Sequence, residues 1–165
     1  MSFHFRKDSN IFTYLLPEFI MSQIVSIRLR PHTFKYLKAK LGQPYRLSLH
    51  DDLGHLIWAA IMAGKMPDDS GKLTQEFRVI LPNHLHLTGD PHKVQTDLDR
   101  IVDGIFRQNL FDHLIIFGGG DRQYKDLMLE FLDYYDISED ELSLDTLYRD
   151  FMRKKRKYAT MLQRR

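Results

Sequence analysis

The chain has 165 residues, contains no cysteine and carries a formal net charge of +2. This length suits one domain of ordinary size, or one main domain with a small appendage, and it can bury a sizeable core. The lack of cysteine excludes disulfides and thiolate metal sites and fits a reducing compartment. No signal peptide and no run of about 18–20 apolar residues is recognisable, so we expect a cytoplasmic protein without a membrane segment.

Charge is distributed unevenly along the chain. Residues 121–147 contain nine acidic and two basic residues, whereas residues 148–165 contain eight basic residues and one acidic residue. The net charge therefore changes sign near the C-terminus, from −7 to +7. A basic segment of this kind points to a polyanionic partner or to a solvated helix face.

Two short runs of alternating apolar residues predict β-strands, because successive side chains of a strand point to opposite faces of the sheet. The runs lie at residues 23–30 and 77–81, and each is followed by a proline. Their apolar positions are Val25, Ile27 and Leu29, then Phe77, Val79 and Leu81. We expect these strands to pair as a minimal two-stranded sheet.

Apolar residues spaced three and four apart predict helices around these strands. The helices lie at about residues 32–41, from Asp51 or Asp52 to Gly64, and from Pro91 towards residue 117. The stripe of the last helix consists of Val94, Leu98, Ile101, Val102, Ile105 and Phe106. The predicted fold class is α+β and mainly helical, with helices covering one face of the sheet.

Three consecutive glycines, residues 118–120, interrupt the apolar pattern. Glycine has the freest backbone and no side chain to pack, so we place a linker there. It divides a small α+β unit at residues 1–117 from a helical module at residues 121–165. The alternative is a helix stop or tight turn inside one compact domain.

Residues 121–165 predict a helix, a polar turn and a second helix. The first helix follows from the apolar positions Tyr124, Leu127, Met128, Phe131, Leu132 and Tyr135. Ser138 and Glu141 have the spacing of a capping box, and Ser143 can cap the second helix. The second helix carries its own apolar stripe, at Leu144, Leu147, Tyr148, Phe151 and Met152.

Six basic residues on this second helix are the candidate nucleic-acid-binding residues. Four of them share one face by helical spacing, and Lys154 and Lys155 are expected to widen that positive surface. The four are Arg149, Arg153, Arg156 and Lys157. Such groups neutralise phosphates, and arginine can also bind guanine edges. Because two helices joined by a tight turn are the layout of helix-turn-helix DNA readers, we expect duplex DNA as the partner.

The segment Tyr-Asp-Ile-Ser-Glu-Asp at residues 135–140, followed by Leu147, Tyr148, Arg149 and the basic run, resembles C-terminal helix-turn-helix segments of phage and mobile-element proteins. The resemblance covers about forty residues. It implies a DNA-binding regulator of transcription or an accessory factor of such an element. The alternative is a protein-interaction or assembly module with a solvated basic tail.

We also expect a homodimer, because many helix-turn-helix proteins bind DNA as two-fold dimers. The candidate interface is the upstream unit, because a two-stranded sheet leaves exposed edges and because one apolar stripe is long for so small a core. That stripe consists of Val94, Leu98, Ile101, Ile105 and Phe106. In the alternative interpretation, this stripe packs within one chain against Leu53, Ile57 and Ile61.

Histidines suggest a metal site at two places, namely His84 with His86, and the group His50, Asp51, Asp52 and His55. Neither place has the spacing of a known zinc motif, so we expect capping or surface roles. We predict no metal, no cofactor and no enzyme activity.

Overall fold

The computed structural model describes residues 23–64, 72–85, 87, 97–118 and 123–162. Its elements in chain order are β1 (Ile24–Leu29), α1 (Pro31–Leu41), β2 (Tyr45–Arg46), α2 (Asp52–Ala63), β3 (Gln75–Ile80), α3 (Leu98–Phe117), α4 (Tyr124–Tyr134) and α5 (Leu144–Leu162). The predicted fold class, a mainly helical α+β fold with a small sheet, is confirmed.

The sheet has the strand order β1-β3-β2 in the described part of the chain, so it contains one strand more than the two predicted. β1 and β3 pair antiparallel, with Ile27 opposite Phe77, and their alternating apolar side chains are buried. β2 pairs parallel to β3, with Tyr45 opposite Val79. A strand of two residues is too short to show an alternating pattern, which explains why the sequence did not reveal it.

The first two helices begin and end at the residues that local chemistry favours. Pro31 opens α1, where its missing N–H costs nothing. Asp51 caps α2 by accepting a hydrogen bond from the Gly54 amide at 2.6 Å. Gly64 ends α2 in the left-handed conformation, with φ of 57°.

The hydrophobic core is continuous across the glycine segment. Phe106 of α3 is fully buried and meets Tyr36 of α1 and Phe131 of α4 with ring centroids 5.5 and 5.6 Å apart. Buried residues of the sheet, α3, α4 and α5 belong to one cluster. The helices on both sides of the predicted linker therefore share one core, while the domain boundary itself stays a prediction.

Gly118 ends α3, and its amide donates to the Leu114 carbonyl at 2.9 Å. A side chain at this position would collide with that carbonyl and with the ring of Tyr124, so the close approach of α4 requires glycine. The predicted start of α3 at Pro91, the stripe residue Val94 and linker residues 119–120 lie outside the described residues.

The rest of the α3 stripe packs within its own chain. Leu98, Val102 and Phe106 are fully buried, and Ile101 and Ile105 pack against the core. The expectation that this stripe is exposed for dimerisation is therefore wrong for the described residues, because the chain's own sheet and helices cover it. The homodimer stays a prediction without this interface.

Candidate nucleic-acid interface

α5 is amphipathic, and its apolar side fastens it to α3 and α4. Leu147 and Phe151 are buried, and the rings of Phe151 and Phe111 lie 5.6 Å apart. From Arg156 to Met161 every side chain is exposed, although the ring of Tyr158 still stacks on that of Phe111 at 5.2 Å. Because only one face of α5 packs against the protein, the residues on its opposite face are available to a partner.

The exposed side of α5 carries four cations, Arg149, Arg153, Arg156 and Lys157, which we call the cationic face. Arg149 Nε donates to the Asp145 carbonyl at 3.3 Å, within its own helix. Arg153 pairs with Asp150 at 2.9 Å and is still 73% exposed. Among the described residues, Arg156 and Lys157 have no ionic partner, so their charge is directed to solvent.

Lys154 and Lys155 are half-buried and anchor the helix instead of widening the cationic face. Lys154 Nζ donates to the Gln108 side chain and lies 4.5 Å above the ring of Phe111. Lys155 Nζ donates to the Tyr124 hydroxyl at 2.7 Å and lies 4.3 Å above that ring. Their aliphatic stems cover apolar surface while the ammonium groups bind neighbouring helices.

A network of carboxylates and guanidinium groups connects α5 with α3 and with the start of α1. Arg107 bridges Asp150 at 2.9 Å and Asp103 at 3.0 Å. Arg30 binds Asp99 at 2.6 Å and approaches Asp103 at 3.5 Å. Arg30 is thus neutralised by carboxylates, and it does not extend the positive surface beyond α5.

Sequence reasoning did not single out this network, although a signal for it exists. Asp99, Asp103 and Arg107 recur every fourth residue and therefore form a charged row along one side of α3. Which residues would face this row could not be known, because Arg30 lies about seventy positions away in sequence.

The pKa of Asp103 is unusually low because of these partners. Burial would raise its pKa, but the hydrogen bond from His32 and the charges of Arg107 and Arg30 outweigh burial. Together they lower the pKa of Asp103 from 3.8 to about 2. The carboxylate is therefore charged at any physiological pH.

His32 contacts the same carboxylate but is closed to solvent. Its Nε2 lies 3.0 Å from Asp103 Oδ1, and the residue is only 2% exposed. Its Nδ1 is buried and has no hydrogen-bond partner. The imidazole of His32 packs edge-on against the ring of Phe106. This enclosed position suits a structural role, because no substrate can reach the imidazole.

The connection between α4 and α5 comprises the nine residues 135–143. Asp136 adopts a left-handed conformation with φ of 56°, and the Ile137 amide donates to the Leu132 carbonyl at 3.0 Å, which closes α4. Glu141 accepts from the Ser138 amide at 3.1 Å, one half of the predicted capping box. The connection is longer than the turn of about three to four residues in a standard helix-turn-helix.

The same connection is bound to α1 by a lysine side chain. Lys35 Nζ donates to Glu141 Oε2 at 2.9 Å. The hydrogen bond to Glu141 raises the pKa of Lys35 above its ordinary 10.5, so the ammonium group is charged at neutral pH. The orientation of α5 is thus set from both ends of the connection, through α1 and through α4.

The residues considered for metal binding have other roles or are exposed to solvent in the structure. Asp51 caps α2 and also accepts a hydrogen bond from the Tyr45 hydroxyl at 3.1 Å. His84 is exposed, and His86 lies outside the described residues. Within the ranges that the structure covers, no group of three or more histidine or acidic side chains is arranged to hold a metal ion.

None of the described helices combines the length and the apolar composition that crossing a bilayer requires. The chain matches no family model, and comparison with curated proteins and with solved structures finds no significant match.

Proposed function

We propose that this protein binds nucleic acid, and in particular duplex DNA, through the cationic face of α5. The observation that carries the proposal is that one helix, α5, buries Leu147 and Phe151 while all four cations on its other side are exposed. Exposed guanidinium and ammonium groups gain affinity for a polyanion by releasing its condensed counterions. A fixed helix presents them without the entropy loss that a flexible tail would suffer.

The outer side of the C-terminal part of α5 suits contact with a groove. The side chains from Arg156 to Met161 are all exposed, and an α-helix fits the major groove of B-form DNA. The deep, narrow major groove of A-form RNA excludes a helix, which favours DNA as the ligand. In this proposal Arg149, Arg153 and Arg156 contact phosphates or guanine edges, while Lys154 and Lys155 hold the helix in place.

The resemblance to helix-turn-helix segments leads to a narrower version of the proposal. In that version the chain is a regulator or accessory factor of a phage or mobile element, acts in the cytoplasm and carries out no catalysis. The long connection at residues 135–143 departs from the standard motif. The phosphate-binding part of the proposal does not depend on that motif, because it rests on the exposure of the cations.

The test removes three cations of the face at once. Replacing Arg149, Arg153 and Arg156 with alanine should weaken binding to a short DNA duplex roughly tenfold or more at physiological salt. The slope of log affinity against log salt should also fall by about two to three, close to one unit for each lost phosphate contact. Fluorescence anisotropy across a salt series measures both quantities.

A matched control removes the same charge elsewhere. Lys38, Arg78 and Arg100 are exposed cations on α1, β3 and α3. Their joint replacement with alanine should leave affinity and salt slope near the wild-type values. Equal losses in both triple variants would mean that only overall charge matters, and unchanged binding in the first variant would rule out the cationic face.

A protein-interaction module is the second candidate, and one observation favours it. The last residues of α3, Ile115, Ile116 and Phe117, are 46%, 72% and 55% exposed. Consecutive exposed apolar residues of this size commonly mark contact surfaces. A molar mass that rises with concentration, together with no DNA binding at physiological salt, would favour this candidate over the first.

A further inference from the structure

A cleft lies between α3 and α5, directly beside the cationic face. Its volume is about 360 Å³, which falls within the range of small-ligand sites of roughly 300–1,000 Å³. The floor is apolar and partly aromatic, formed chiefly by Leu110, Phe111 and Phe151. Gly104 of α3 borders the cleft, and a Cβ added there would meet no atom within 4 Å. The cleft therefore has free space at a position where α3 has no side chain.

One wall of the cleft is polar and held in place. Arg107 and Asp150 line it, and they pair with each other at 2.9 Å. Arg153 also donates to Asp150 at 2.9 Å. The wall thus offers fixed donors and an acceptor beside an aromatic floor. This combination suits a planar heterocycle better than an alkyl chain, because an alkyl chain would desolvate the charged groups without replacing their hydrogen bonds.

The rim of the cleft is shared with the cationic face. Arg153 and Lys157 belong to both, and Lys154 stands at the rim above the ring of Phe111. A phosphate held by Arg153 and Lys157 would leave the base of the same nucleotide next to the cleft. The rim carries more positive than negative charge, since Asp150 is the one carboxylate among the lining residues described.

We infer that the α3/α5 cleft receives one unpaired base of a nucleic acid whose phosphates lie on the cationic face. The inference rests on the proposed function and adds to it a preference for DNA that contains an unpaired base. A base inside an intact duplex is stacked and paired, and extruding it costs several-fold to many-fold in affinity. A bulged or single-stranded base has already lost that stacking. DNA with an unpaired base therefore binds more tightly than an uninterrupted duplex of the same sequence.

The test compares three DNA probes that differ at a single position. The first is an uninterrupted duplex, the second has one bulged thymidine, and the third has a bulged abasic sugar at the same place. The two bulged probes share backbone charge and length, so their difference reports the base. We expect the wild-type protein to bind the thymidine bulge about tenfold more tightly than the abasic bulge, from the stacking gain of one base.

A variant that fills the cleft without changing any charge completes the test. Gly104→Phe places an aromatic ring in the free space, and Gly104→Ala is the matched control with a small side chain. Phenylalanine and alanine both have a higher helix propensity than glycine, so the fold should persist. Gly104→Phe should bind the thymidine and abasic bulges equally, whereas Gly104→Ala should keep the wild-type difference. All three proteins should bind the uninterrupted duplex alike.

Two results separate this inference from the proposed function. If the wild-type protein binds duplex DNA but does not distinguish the thymidine bulge from the abasic bulge, the cleft takes no base and the cationic face still stands. A Gly104→Phe variant that retains the full difference leads to the same conclusion. If no probe binds at physiological salt, both ideas fail together.

Discussion

Replacing Asp103 with asparagine removes the central charge of the network that joins α1 and α3 while preserving side-chain size. Asp103 accepts from His32 at 3.0 Å and from Arg107 at 3.0 Å, and it approaches Arg30 at 3.5 Å. Its side chain is only 16% exposed, so solvent screens these contacts little. The amide can still accept a hydrogen bond, but it no longer balances the two guanidinium groups.

The magnitude follows from the pKa of Asp103, which falls from 3.8 to about 2 in the folded protein. Each pKa unit corresponds to about 1.4 kcal/mol, so the ionised carboxylate stabilises the fold by about 2 to 2.5 kcal/mol at neutral pH. Because the pKa is lower in the folded state, this stabilisation is complete well above pH 3.8. It is lost as the pH falls from about 4 towards 2.

Urea denaturation followed by the fluorescence of Trp58 measures the effect. Asp103→Asn should lower the free energy of unfolding by about 2 to 2.5 kcal/mol at pH 7, and the difference from wild type should shrink to a few tenths near pH 2. Acidic groups remote from Asp103 have the same surroundings in both proteins, so their contributions cancel in the difference. Asp133→Asn on the exposed side of α4 is the control, and it should change stability by less than about 0.5 kcal/mol.

A difference between Asp103→Asn and wild type that stays constant from pH 2 to pH 7 would refute the reasoning, since a pH-independent loss would come from packing. An Asp103→Asn variant as stable as wild type at pH 7 would show that the ion pairs contribute nothing net.

Two further predictions concern packing. Phe106→Ala should cost about 3–5 kcal/mol, because the fully buried ring contacts both α1 and α4, and unfolding followed by Trp58 fluorescence and by circular dichroism should give one coincident transition. Separate transitions would show that the chain on the two sides of the glycines unfolds independently. Ile116→Ser should leave stability within about 0.5 kcal/mol of wild type, because that side chain is 72% exposed. If light scattering shows self-association of the wild-type chain, Ile116→Ser should reduce it, and an unchanged mass would exclude this surface.

Local signals in the sequence were sufficient for most elements of the fold. The alternation around Ile27 and Phe77 predicted β1 and β3, which pair as expected. Asp51 and Gly64 marked the two ends of α2 correctly. These predictions succeeded because caps, glycine stops and periodicity act over a few residues. β2 was missed because its pairing with β3 is a long-range contact made by only two residues.

For the candidate interface, too, the sequence predicted part of the arrangement and missed the rest. Helical periodicity was enough to place Arg149, Arg153, Arg156 and Lys157 on one face, and all four are exposed. It could not reveal that Lys154 and Lys155 bind Gln108 and Tyr124, because those partners lie on other helices. A long side chain near the edge of a helix points to solvent or to a neighbour depending on what packs beside it.

The sequence by itself determined the helices, the two main strands and the charge carried by α5. Only the tertiary structure decided that Asp99 and Asp103 neutralise Arg30, that α3 buries its stripe within one chain, and that a cleft opens beside Gly104. The physical reason is the separation along the chain over which each kind of interaction acts. Backbone hydrogen bonds and caps are settled within about four residues, whereas burial, ion pairing and free volume depend on which distant elements pack together.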